Sequence, residues 1–120
     1  MIVAVFGASG RTGQLIANAA VAAGHHVRAL VRDPQRGPAP GTSIEVFVGD
    51  PTTPDAVSRV LDGAEAAVSA LGPRPGSNVA SLCSTATRHV ITVASGRASF
   101  RYVVVSGAGV HKFVDDSPLL

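Results

Sequence analysis

The sequence of 120 residues is poor in several residue types that characterise particular classes of protein. It contains one cysteine, Cys83, which excludes a disulfide within the chain and is typical of a reducing compartment. Tryptophan is absent and aromatic residues make up 4% of the chain, so base stacking on aromatic side chains gains no support. The formal net charge is +2 and the arginines are scattered, so no binding of nucleic acid is expected.

Long apolar runs are also missing from the sequence. No segment approaches the roughly twenty apolar residues of a membrane-spanning helix, so no membrane partner is expected. Met1 leads directly into an apolar run without the charged segment and cleavage site of a secretory signal. These features predict a cytoplasmic protein, and the length predicts a single domain over residues 1–120.

Short apolar runs alternate with segments of good helix formers, and hydrophobic residues make up 46% of the chain. The predicted strands are residues 2–6, 26–31, 44–48, 66–70 and 101–106, and the predicted helices are residues 14–23, 54–61 and 78–95. Thr52 or Thr53 is the candidate N-cap of the second helix. The alternation predicts an α/β fold, a Rossmann-like doubly wound parallel sheet with strand order 3-2-1-4-5.

Three glycines lie where the first predicted strand gives way to the first predicted helix. Gly7 permits a tight turn, Gly10 lets a ligand approach the backbone, and Gly13 lets the helix pack closely on the sheet. The helix N-terminus then offers free N–H groups to an anion. The spacing is G-x-x-G-x-x-G rather than the usual G-x-G-x-x-G, and three glycines can also simply shape a loop. The strand-to-helix context favours a site for a dinucleotide pyrophosphate.

The end of the second predicted strand bears on which dinucleotide is bound. Arg32 lies about twenty residues beyond the last glycine, where the group that contacts the adenosine ribose is expected. A guanidinium there matches a 2′-phosphate, whereas a carboxylate would accept the ribose hydroxyl of NAD. Arg11 is placed to reach the same phosphate, while Asp33 becomes the ribose-binding acid if the strand ends one residue later. The sequence favours NADP over NAD, with a solvated loop arginine as the alternative for Arg32.

Four motifs follow one another along the chain in an order that carries a family resemblance. They are Val-Phe-Gly-Ala-Ser-Gly-Arg-Thr-Gly at 5–13, Leu-Val-Arg-Asp-Pro at 30–34, Val-Gly-Asp at 48–50 and Val-Val-Val-Ser-Gly at 103–107. With them the chain resembles the atypical short-chain dehydrogenase/reductase superfamily. It is most similar to the NAD(P)H-binding, NmrA-like branch that also contains flavin and biliverdin-IXβ reductases. The chain is shorter than family members generally are, as if it lacked their C-terminal part.

The resemblance implies roles for particular residues. In that family the glycine turn binds the pyrophosphate and an arginine after the second strand binds the 2′-phosphate. An aspartate after the third strand contacts the adenine, and the end of the fourth strand passes the nicotinamide ribose. The cofactor-binding residues implied are Gly7, Ala8, Ser9, Gly10, Arg11, Thr12, Gly13, Arg32, Asp50, Ala70, Leu71 and Gly72.

Candidates for catalysis are fewer. The Tyr-x-x-x-Lys pair of the family's dehydrogenases is missing, because the single tyrosine, Tyr102, has Ser106 four residues later and is predicted to be a packing residue. By resemblance, Ser106 is the candidate that contacts the substrate or the nicotinamide; a turn serine is the equal alternative. His111 and Lys112 are candidate proton donors or anion ligands, with exposed tail residues as the alternative. No metal-ligand spacing is present.

Two functions of different classes follow from these motifs. The first is an NADPH-dependent reductase that transfers hydride to a flavin, quinone or similar planar acceptor. The second is a non-catalytic NADP(H)-binding module, either a redox-sensing regulator or the remnant of a longer reductase. The fifth strand is expected to be an apolar sheet edge, which residues 107–120 or a second copy of the chain would cover.

Overall fold

The computed structural model describes residues 1–72 and 79–105, with the side chains of 79 and 80 excepted. Within these ranges the chain forms a parallel sheet with helices on both faces. The strands are β1 (Ile2–Phe6), β2 (His26–Val31), β3 (Ile44–Val48), β4 (Ala66–Ser69) and β5 (Arg101–Val104), and the helices are α1 (Arg11–Ala22), α2 (Pro54–Leu61) and α3 (Val79–Ala94). The predicted elements are therefore present, with small differences at their ends.

The sheet has the order β3-β2-β1-β4-β5, and every strand pair is parallel. The predicted Rossmann-like α/β fold is confirmed. The chain moves from β1 outward through β2 to β3 and then returns to β4 on the other side of β1. The carboxyl ends of β1 and β4 therefore flank the point where the direction of winding reverses, which is where such sheets bind ligands.

Alternate side chains of the strands enter two separate hydrophobic clusters, one on each face of the sheet. On one face α1 packs over Val5, Val27 and Val31, with Ala17 as its fully buried contact. On the other face Phe6 and Leu30 pack against α2 and α3, which contribute Leu61 and Val90 among others. Because the central strands are covered on both faces, they are continuous apolar runs, as buried parallel strands usually are.

Helix α1 begins earlier than predicted. Arg11 is its first residue and Gly10 its N-cap, whereas the sequence favoured a start at Gln14. The first turn therefore contains Gly13, a poor helix former that is kept there by packing rather than by propensity. The end is as predicted: Gly24 has φ +92°, and the N–H of His25 donates to the carbonyl of Ala20, which is the hydrogen bond of a Schellman motif.

The two edge strands differ in how they are protected. On β3, the exposed Glu45 forms an ion pair with Arg28. On and just after β5, Val103, Val104 and Val105 are 55%, 46% and 41% exposed. The predicted position of the fifth strand at an edge of the sheet is confirmed, while residues 107–120, one of its predicted covers, lie outside the described part of the chain. None of the helices in the described part of the chain has the length and apolar character of a membrane span.

Candidate functional site

The glycine turn after β1 packs tightly against its surroundings. Gly7 has φ +76°, and a Cβ on it would lie 2.6 Å from the carbonyl oxygen of Ala70 at the end of β4. A Cβ on Gly13 would lie 2.7 Å from the carbonyl carbon of Gly7 and 2.8 Å from Cα of Ala8. Two of the three glycines are therefore required by the fold itself, since any side chain would push the turn away from β4 or from α1.

Gly10 differs from the other two glycines. It is extended, with φ −82° and ψ 167°, and a Cβ on it would make only an ordinary contact of 3.6 Å with the Gly7 carbonyl oxygen. No side-chain hydrogen bond caps α1 at this end, and no acidic residue lies in its first turn. The unshared N–H groups and the positive end of the helix dipole therefore remain for a ligand anion.

The segment after β2 carries two arginines. Strand β2 ends at Val31, so Arg32 is the first residue beyond it, as predicted. Residues 33–36 then form a turn, in which the N–H of Arg36 donates to the carbonyl of Asp33 over 3.0 Å. Asp33 is turned toward its own loop: its Oδ1 accepts from the N–H of Gln35, and its Oδ2 lies 4.0 Å from Nε of Arg36.

These elements surround a cavity of about 360 Å³ at the carboxyl end of the sheet. Its lining includes nine of the predicted cofactor residues: Gly7, Ser9, Gly10, Arg11, Thr12, Arg32, Ala70, Leu71 and Gly72. The lining also contains Leu30, Arg36, Pro51 and Leu82, which the sequence analysis did not identify. Among the described residues the lining contains three arginines and no carboxylate, although Asp50 and Asp33 lie beside it as partners of Arg32 and Arg36. The excess of positive charge favours an anion.

Three of the predicted site residues that the structure describes do not line the cavity. Ala8 is fully buried in the cluster beneath α1, and Gly13 is buried in the first turn of that helix. Asp50 lies beside the cavity: its Oδ2 is 3.9 Å from Nε of Arg32, and its Oδ1 accepts from both the N–H and the hydroxyl of Thr52. Ser106 lies outside the described residues, as do His111 and Lys112.

The single tyrosine belongs to the core rather than to the cavity. Tyr102 packs against the cluster beneath α3, and its hydroxyl is 3.0 Å from the hydroxyl of Thr87. The predicted packing role is confirmed. Among the residues that the structure describes, no group of three or more His, Cys, Asp or Glu side chains is placed to hold a metal ion.

The residues present fit a dinucleotide. No protein atom packs closely against Gly10, since a Cβ there would make only an ordinary contact, so a pyrophosphate has room at the helix N-terminus. Arg32 and Arg36 are placed for a phosphate near the end of β2, while Ala70, Leu71 and Leu82 give the far side of the cavity an apolar surface. The fold and this cavity together define a nucleotide-binding domain of the Rossmann type.

Comparison with known proteins gives the family. A family model described as NAD(P)H-binding matches residues 7–119, and the chain belongs to this family. The predicted membership is confirmed, and the coarse function, binding of a nicotinamide dinucleotide in a fold like that of dehydrogenases and reductases, follows from it.

Solved structures share the fold over nearly the whole chain. A protein from Lactobacillus casei is 31% identical with a TM-score of 0.72, and the match covers 87% of this chain and 47% of that one. A putative epimerase from Bacteroides thetaiotaomicron is 29% identical with a TM-score of 0.74, over 90% of this chain and 48% of that one. The present chain thus spans about half the length of these two proteins.

A third structure was solved with a nucleotide. A short-chain dehydrogenase/reductase superfamily protein from Agrobacterium tumefaciens, with bound NAD, is 24% identical with a TM-score of 0.75. The match covers 100% of this chain and 39% of that one. At 24% identity this comparison shows a shared fold alone.

Proposed function

We propose that the protein binds NADP(H) in preference to NAD(H) and acts as an NADPH-dependent reductase. The observation that carries the cofactor preference is the position of Arg11, Arg32 and Arg36, which all line the cavity, while the carboxylates of Asp50 and Asp33 lie beside it as partners of Arg32 and Arg36. A guanidinium presents planar donors that match phosphate oxygens, and it stays charged at any physiological pH. A site built for the unphosphorylated cofactor would place a carboxylate against the ribose hydroxyl instead.

Each part of the cavity then has a role in holding the nucleotide. The N–H groups at the start of α1, beside Gly10, would hold the pyrophosphate, and Arg32 with Arg36 would hold the 2′-phosphate. The end of β4, at Ala70 and Leu71, would receive the nicotinamide ribose, as the family resemblance implies. Asp50, which the resemblance assigns to the adenine, would lie at the opposite end beside Arg32.

The acceptor proposed is a flavin, a quinone or a similar small planar molecule. Reduced nicotinamide, when bound, supplies the hydride, and the protein supplies orientation and a dry surface. Solvent supplies the proton, since Tyr102 is held by Thr87 and packs in the core. Ser106 is proposed to contact the acceptor or the nicotinamide. The single cysteine supports a reducing, cytoplasmic setting.

Calorimetric titration of the purified protein with NADPH, and then with NADH under the same conditions, tests the cofactor preference. We expect NADPH to bind with micromolar affinity and NADH about tenfold or more weakly, because only NADPH brings a second phosphate to the arginines. Equal affinities would contradict the preference. Oxidation of NADPH is then followed at about 340 nm, where reduced nicotinamide absorbs, with flavins, quinones and biliverdin-type pigments as acceptors.

A second function, a non-catalytic NADP(H)-binding module, is favoured by one observation. Tyr102, the single tyrosine of these 120 residues, packs against the core cluster and does not line the cavity. Such a module would bind NADPH and NADP⁺ with comparable affinity and turn over none of the acceptors. A reductase rate above background with any acceptor would exclude it.

We further propose that a second copy of the chain pairs with the edge strand β5, with a cover formed by residues 107–120 as the alternative. Val103 on this strand is 55% exposed, and apolar edge strands are normally paired or covered. We expect the protein to sediment as a dimer and Val103→Lys to sediment as a monomer. The matched control is Val48→Lys on the opposite edge strand, where Val48 is 50% exposed and Glu45 already carries a charge. A wild-type monomer at all concentrations would contradict the pairing.

A further inference from the structure

Gln14 joins two parts of the cavity wall that are distant in sequence. Its side-chain Nε2 donates to the backbone carbonyl of Ser9 over 3.2 Å and to the backbone carbonyl of Arg36 over 3.0 Å. Ser9 belongs to the glycine turn and Arg36 ends the turn after β2. One side-chain amide therefore donates both of its N–H hydrogens, one to each of the two loops.

Gln14 itself does not line the cavity, whereas Ser9 and Arg36 both do. It is half-buried on the first turns of α1, one residue beyond Gly13. Any effect of Gln14 on ligand binding must therefore pass through the loops that it holds. This separates it from Arg11 and Thr12, whose own atoms face the cavity.

The two loops differ in how firmly they are otherwise fixed. The glycine turn is fixed by the close packing of Gly7 on Ala70 and of Gly13 on Gly7, and by a hydrogen bond from Gly10 N–H to the Gly7 carbonyl. The turn at 33–36 is exposed, and the side chain of Arg36 is 81% exposed. The turn at 33–36 is also held from within by hydrogen bonds to Asp33, but Gln14 ties it to the rigid glycine turn. Removal of Gln14 is therefore expected to loosen the attachment of this turn to α1.

We propose that Gln14 is a positioning residue for Arg36, and that it thereby contributes to recognition of the 2′-phosphate. This inference rests on the proposed preference for NADP(H). Arg32 follows β2 directly, so the strand positions it and it does not depend on Gln14. Arg36 lies four residues further out, where the amide bridge is the contact that ties its backbone to α1.

The test replaces Gln14 by methionine, which keeps the length of the side chain and removes both donors. Titration with each nucleotide is expected to show NADPH binding about fivefold weaker and NADH binding changed by less than about twofold. A merely structural role would weaken both nucleotides alike. Gln14→Glu, which cannot donate and adds a negative charge, should weaken NADPH binding further.

Three comparisons test whether Gln14 acts through Arg36. Asn18→Met makes the same amide-to-thioether change one turn further along α1, at an exposed residue away from the cavity lining, and should leave both affinities unchanged. In a background of Arg36→Ala the Gln14→Met change should have no further effect on NADPH, because its target is gone. In a background of Arg32→Ala the two losses should multiply.

The outcomes separate this inference from the proposed function. If the wild type prefers NADPH and Gln14→Met keeps that preference, the positioning role is overturned while the cofactor assignment stands. Losses that multiply in the Arg36→Ala background overturn it as well. A wild type that binds NADPH and NADH equally overturns the proposed preference, and with it the role of Gln14 in that preference.

Discussion

Replacement of Gly13 by alanine is expected to lower the free energy of unfolding by about 3 kcal/mol, which corresponds to a fall of roughly 10 °C in Tm. Helix propensity alone would predict the opposite, because alanine is favoured over glycine inside a helix by about 1 kcal/mol. Close packing around Gly13 determines whether the free energy of unfolding rises or falls. A Cβ on Gly13 would overlap the Gly7 carbonyl, and its nearest neighbours are backbone atoms that cannot rotate away. Thermal unfolding followed by circular dichroism measures the loss.

Gly10→Ala is the matched control for this prediction. The contact of 3.6 Å at Gly10 is an ordinary one, so the free energy of unfolding should fall by less than about 1 kcal/mol, the usual cost of alanine at an N-cap. Binding of both NADPH and NADH should nevertheless fall about tenfold or more, because the added methyl group occupies the approach of the pyrophosphate. Equal stability losses for the two variants would show that the fold does not distinguish these glycines.

The fold could be predicted from the sequence because its signals are local. Each strand is a run of apolar, mostly β-branched residues, and glycine or proline marks the places where runs end. Parallel pairing and strand order then follow from the alternation with helices. The predicted start of α1 at Gln14 is wrong by about one turn, because the sequence analysis placed all three glycines in the turn before the helix. In the structure Gly13 lies in the first helical turn, packed closely on Gly7.

The candidate site was predicted less completely than the fold. The glycine turn, Arg32 and the end of β4 could be located because each directly adjoins the end of a strand. Arg36 and Gln14 were not identified, since nothing in a local pattern shows that a turn at 33–36 folds back onto α1. Their contact joins residues 22 apart in the sequence, so a local pattern does not indicate it.

Arg32→Ala is expected to weaken NADPH binding tenfold or more while leaving NADH binding within about twofold, since a hydrogen bond to a charged group is worth about 1.5–3 kcal/mol. The side chain is 52% exposed and lines the cavity, so its loss should leave the core unaffected. Its ion pair with Asp50, at 3.9 Å, is partly exposed and contributes little to stability. The affinity ratio of NADPH to NADH, measured by titration, is therefore the quantity that reports on the arginine.

Arg59→Ala provides the control that separates a local contact from the general field of the protein. Arg59 is 50% exposed, pairs with Asp55 at 3.8 Å and donates to the Val48 carbonyl over 3.3 Å. This variant therefore removes the same charge from a side chain of similar exposure that does not line the cavity. If long-range charge accounted for the preference, the two variants would weaken NADPH binding to a similar extent, and added salt would abolish the difference between NADPH and NADH. A loss confined to Arg32→Ala instead requires direct contact with the 2′-phosphate. An unchanged ratio in that variant would leave Arg11 and Arg36 to carry the preference, and the arginine after β2 would then be a solvated loop residue.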